Sequence, residues 1–190
     1  MFVLEIEKDI NLVYDKNIMD LIQTFDETPE KPLSVVQKLN EYQKQGYVFH
    51  GSTNPNIFEL EPRPATDVDN TKKFNNDTAV FAAPSPTASV IFACMSLDNI
   101  PKEIRNGSWS IGSDDDKRIV ARIPKKWQQY ISTNSGYIYV LDSSTFSGES
   151  DIENGWQVKS KQSIKPTAVL NVAFSDFEKL GGTIIWQEDN

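Results

Sequence analysis

The stretch Tyr47-Val48-Phe49-His50-Gly51-Ser52 decides how this chain is read. Tyr47 to His50 alternates as a strand does, and Gly51-Ser52-Thr53-Asn54-Pro55-Asn56 turns the chain directly after it. A histidine at the end of a strand, facing a loop, can reach a cleft. Gly51 would let a ligand approach the backbone, and the Ser52 and Thr53 hydroxyls would add donors and acceptors beside the imidazole. His50 is the only histidine in 190 residues, so a metal site built from several histidines is excluded. A Ser-His-Asp triad would have to form around this one ring.

Upstream, Ser34 and Gln37 form a capping-box pattern, and Leu33, Val36, Leu39 and Tyr42 share a face. Gly46 stands where a C-terminal cap belongs, so a helix of about three turns is expected. Residues 1–32 read as a lead-in, with Ile18, Leu21, Ile22 and Phe25 at helical spacing before a polar breaker containing Pro29 and Pro32.

Downstream, residues 61–78 read as a long surface loop, followed by a strand from Thr78 to Ala83. Pro84-Ser85-Pro86 starts a helix, with Ser85 as cap and Ala88, Ile91, Phe92 and Met95 as its buried face. The second half is mainly β. Short β-branched or aromatic runs lie at 109–111, 119–123, 137–141, 156–159, 169–174 and 183–186. A short helix with a capping box at Ser175–Glu178, closed by Gly181-Gly182, precedes the last run. This order predicts a single α+β domain over 33–190, with split antiparallel sheets, flanking helices and a cleft beside His50.

With 38% apolar and 11% aromatic residues, the chain can bury a core without disulfides. One cysteine, Cys94, sits inside an apolar run and reads as a small core residue, which leaves no disulfide and points to a reducing cytoplasm. No window approaches a membrane span. A net charge of −8 argues against a surface that tracks nucleic-acid phosphates. Asp114-Asp115-Asp116 reads as a solvated turn rather than a calcium loop, because its carboxylates are adjacent and not spaced. Glu149 and Glu153 lie in a polar loop. There is no Gly-rich phosphate loop.

The ordered set Tyr47-Val48-Phe49-His50-Gly51-Ser52, Leu60-Glu61-Pro62-Arg63 and Val80-Phe81-Ala82-Ala83, leading into Ala88 and Phe92-Ala93, resembles the ADP-ribosyltransferase superfamily. The likeness is to the branch that includes the poly(ADP-ribose) polymerases, and it covers about 50 residues. It implies an ADP-ribosyltransferase-like fold, NAD as substrate, and transfer of ADP-ribose to an acceptor such as a protein, or NAD glycohydrolysis. His50 would hydrogen-bond the adenosine-side ribose, the Gly51 backbone would hold the nicotinamide amide, and Ser52 would assist the ribose contacts. Where the family carries a tyrosine that stacks on nicotinamide, this chain offers Val80 or Phe81. The late catalytic glutamate has no evident counterpart; Gln162 is the nearest polar residue, with Glu149 and Glu153 in the loop ahead of it. That gap leaves a second reading open, a non-catalytic NAD-binding or protein-interaction domain on the same scaffold.

Overall fold

Ser34 is extended, its hydroxyl accepts from the Gln37 amide, and the Gln37 side chain accepts from the Ser34 amide at 2.9 Å. The capping box thus forms as the sequence implies and opens helix α1 (Val35–Lys44), which buries Leu39. Gly46, at φ +84°, turns the chain out of the helix into strand β1 (Val48–Ser52). In this computed structural model the described residues are 32–65, 74, 76–116, 118–147 and 157–188. The lead-in expected over 1–32 lies outside them apart from Pro32. Leu33–Asn190 is one compact unit.

The remaining strands are β2 (Arg63–Pro64), β3 (Thr78–Ala82), β4 (Ser110–Ser113), β5 (Ile119–Pro124), β6 (Ser135–Leu141), β7 (Val158–Ser160), β8 (Ala168–Ala173) and β9 (Thr183–Gln187). The further α-helices among the described residues are α2 (Pro86–Cys94), α3 (Gln128–Ile131) and α4 (Asp176–Lys179). Among the described residues the strands form three three-stranded sheets, ordered β1-β6-β8, β2-β3-β7 and β4-β5-β9. The architecture is α+β as expected, but a split pair of purely antiparallel sheets is not what forms. There is a third sheet, and within it β5 and β9 run parallel, Val120 opposite Thr183. The 61–78 loop also contains a strand, with Arg63 opposite Ala79.

β1 alternates between two cores. Phe49 faces one that contains Ile91, Ile123, Trp127, Ile138 and Phe177; Val48 faces a second with Leu60, Val80, Tyr139 and Leu141. Helix α2 lies against β1 and β6 and also meets β5, β8 and α4. Being enclosed, it is buried all round rather than along one stripe: Ala88, Val90, Ile91, Ala93 and Cys94 are fully buried. Phe92, expected on the buried face, is the exposed member at 36% and sets its ring edge to face on Trp109. Burial and the charge of Asp176 push the Cys94 thiol up to about 12, so it stays protonated. At α4, Ser175 is helical and makes no cap. Asp176 replaces the expected capping box by accepting from the Ala173 amide at 2.9 Å, because the chain turns immediately on leaving β8. Arg118 closes the turn at Asp114, 2.9 Å from its carboxylate. No helix among the described residues is long and apolar enough to cross a membrane.

Two glycines let α2 approach the sheet. A Cβ on Gly51 would lie 2.0 Å from the Ser89 carbonyl oxygen, and one on Gly136 would lie 1.9 Å from that of Ala93. Both obstacles are backbone and cannot swing aside. Gly136→Ala should therefore cost about 3 kcal/mol and lower Tm by roughly 6–12 °C. A melting curve superimposable on wild type would contradict this packing.

Candidate functional site

β1 and β3 meet at one residue pair and then part. The Phe49 amide donates to Ala83 O and the Ala83 amide to Phe49 O, each at 2.8 Å. The Phe49 carbonyl also accepts the Ser89 hydroxyl at 2.9 Å, which fastens α2 at the same point. Continued antiparallel pairing would set Gly51 opposite Phe81. Instead the strands splay, and a side chain bridges them: His50 Nδ1 lies 2.8 Å from Phe81 O.

The ladder fixes what Gly51 exposes. In an antiparallel pair, successive residues direct their backbone groups to alternate sides. Phe49 turns its groups to β3, so Gly51, two residues on, does the same, while His50 and Ser52 face β6. Consistently, Val140 opposite Phe49 accepts from the Thr167 amide on the far side of β6. Gly51 thus presents one N–H and one C=O at the split, and among the described residues no backbone group pairs with them. The missing side chain of Gly51 admits helix α2, not a ligand. Its backbone groups are nonetheless the ones at the opening.

Two cavities meet at this split. One, of about 130 Å³, lies on the α2 side and is lined by His50, Gly51, Phe81, Ser89, Phe92 and Gln157 among others. The other, of about 180 Å³, includes His50, Leu60, Glu59, Glu61, Arg63 and Phe81 in its wall. Cavities of about 150 Å³ hold a benzene ring, so each is the size of one ring system. His50 and Phe81 belong to both and form the partition.

Since Phe81 O can only accept, Nδ1 of His50 carries the proton. The neutral ring then leaves Nε2 as an acceptor. Burial is the main cause that holds the His50 pKa below its ordinary value. The Phe81 carbonyl pulls the other way, and the charge of Arg63 adds to the lowering. At neutral pH the site therefore offers an uncharged acceptor suited to a hydroxyl. Tyr139 supports the ring region, 6.5 Å between centroids, and its hydroxyl orders the following loop by donating to Asn54 O at 2.5 Å and accepting from the Ile57 amide.

The other expected site residues divide. Phe81 lines both cavities, whereas Val80 is buried in the second core and reaches only the second cavity. Ser52 lies outside the lining of both, and its hydroxyl accepts from the Asn54 amide. Gln162 is exposed on the turn after β7, where its amide donates to Ser160, and lines neither cavity. The polar residue of that segment at the ring cavity is Gln157, just ahead of β7, which sequence reading passed over. Its neighbour Val158 pairs with Ala82, and that register brings Gln157 beside Ala83. Glu149 and Glu153 fall outside the described residues. Among the described residues no three histidine, cysteine or carboxylate side chains converge as metal ligands.

No family model, curated protein or solved structure matches the chain.

The single histidine makes its titration directly readable by proton NMR. His50 should titrate below about 6.5, the ordinary value. Because its folded pKa is depressed, the unfolded chain binds more protons in the interval between the two. The His50 contribution to stability is thus full above about pH 6.5 and is lost as pH falls toward the folded pKa. A ring that titrates above 6.5 would show that it is solvated or paired with a carboxylate.

Proposed function

We propose that the cleft beside His50 binds NAD and that the chain transfers its ADP-ribose to an acceptor, or to water. The observation that carries this is the Gly51 N–H and C=O at the split edge beside a ring-sized cavity walled by Phe81. A carboxamide carries one acceptor and donor hydrogens, so it complements a strand edge that offers one of each. The Phe81 ring supplies an aromatic surface for the pyridinium. His50 Nε2, as an acceptor, suits a ribose hydroxyl. Either cavity alone is smaller than a usual ligand pocket, and a dinucleotide would use both.

In the reaction, the bond between the nicotinamide nitrogen and ribose C1′ breaks, and its electron pair leaves with the ring, which becomes neutral. An acceptor oxygen or nitrogen, or water, then bonds C1′ and gives up a proton. The sugar passes through an oxocarbenium-like state that a nearby carboxylate stabilises. Gln157 at the ring cavity has only an amide dipole for this, so we expect slow turnover. That same observation favours a second reading, an NAD-binding module that does not cleave its ligand. The acceptor, a protein in the reading we prefer, is left to chemistry outside this cleft, and the single cysteine suits action in a reducing cytoplasm.

Purified protein incubated with NAD and assayed for free nicotinamide, with melting measured in parallel, separates these readings. Release above background, abolished in His50→Ala, is the outcome expected. Gln157→Glu should raise that release about ten- to a hundredfold, since one well-placed charge is worth one to two powers of ten. A rise in Tm with NAD but no release would select the binding module. Neither effect at millimolar NAD would remove the dinucleotide from the account.

A further inference from the structure

Phe81 lines both cavities, so the position of its ring shapes the wall they share. Phe74 meets that ring edge to face, with centroids 5.9 Å apart and planes at 73°. Above the Phe74 ring lies Lys159 Nζ, 4.5 Å from the centroid, and the same ammonium is 2.9 Å from Asp77 Oδ2. Lys159 is also the cross-strand partner of Phe81 in the pairing of β3 with β7.

The Lys159 side chain is only 14% exposed, low for a residue type that is normally solvated. Charge balance at Asp77 does not require this burial. Lys161, two residues on and 59% exposed, already binds the other Asp77 oxygen. Lys161, Lys159 and the Thr78 amide together hold the Asp77 carboxyl well below the usual carboxylate range, so it is ionised throughout the physiological range. What Lys159 adds is the contact with Phe74. An ammonium over an aromatic face is attracted by the ring quadrupole, and more strongly when it is shielded from water.

We infer that Lys159 is a positioning residue that acts through Phe74 to fix the Phe81 ring as the wall shared by the two cavities, and so sets affinity for a ring-bearing ligand beside His50. The ligand half of this inference rests on the NAD reading above; the positioning half stands on the contacts alone. Asp77 orients the lysine, the lysine orients Phe74, and Phe74 limits the rotation and retreat of Phe81.

The test places 4-fluorophenylalanine at position 81 and follows its fluorine resonance in the full chain, with NAD affinity measured on the same samples. Lys159→Met keeps the length of the side chain and removes the charge. It should move or broaden the resonance and weaken NAD binding about three- to tenfold. Lys159→Arg, which keeps a cation over the ring, should hold both within about twofold of wild type. A purely structural lysine would lower Tm without separating these two variants. Phe74→Leu, which leaves Lys159 and Asp77 in place, should move the resonance as Lys159→Met does and serves if that variant does not fold. An unmoved resonance in the folded variants overturns the positioning role, and a moved resonance with unchanged NAD affinity overturns its link to the ligand. Should wild type fail to bind NAD, the NAD reading falls while the resonance still decides the positioning role.

Discussion

Two strands that share one hydrogen-bonded residue pair and then separate create the cleft on which the whole account depends. The Phe49–Ala83 pair fixes the point of divergence, and the Ser89 hydroxyl bonded to the same Phe49 carbonyl ties helix α2 to it. Beyond that point, a sheet that closed normally would consume the backbone groups of Gly51 and Phe81. Instead His50 satisfies the Phe81 carbonyl, and Gly51 is left facing the gap. An open strand edge inside a fold must be paired, solvated or used by a ligand, because a buried unpaired backbone group costs as much as a lost hydrogen bond.

The surrounding structure keeps this gap from closing. α2 is held against β1 and β6 by two glycines without which its backbone could not approach, and Tyr139 anchors the loop that follows β1. The β2-β3-β7 sheet on the other side is clamped by Asp77 between Lys159 and Lys161. His50, held neutral by burial, is then a fixed partition with a free acceptor and not a mobile charge. Among the described residues the full charges beside the split are Glu59, Glu61 and Arg63 of the second cavity, while the late polar group at the ring cavity is the Gln157 amide.

Local patterns were legible in the sequence because local geometry determines them. The Ser34–Gln37 capping box and the Ser85 cap with Pro86 appear as read, whereas the strand read as Tyr47 to His50 runs from Val48 to Ser52, so that His50 is its middle residue and not its end. Pairing between distant segments was not legible. The parallel partnership of β5 with β9, and the approach of Gln157 rather than Gln162, both depend on register between strands far apart in sequence. Gly51 is an intermediate case. A glycine inside a strand signals close backbone approach, but only the tertiary structure tells that the approaching backbone is a helix. At Ser175 the sequence signal was present and unused, since Asp176 takes the capping role once the chain leaves β8 so sharply. That His50 lies in a strand was legible, whereas its place as a bridge across the split was not.

An amide proton–nitrogen correlation spectrum of the chain titrated with NAD reads directly whether the Gly51 edge is where the ligand binds. With NAD in the cleft the Gly51 amide should shift most and become protected from solvent exchange, with His50, Phe81 and the Gln157 side-chain amide moving alongside it. Shifts confined to residues away from the split between β1 and β3, with Gly51 unchanged at saturating NAD, would contradict binding at that edge.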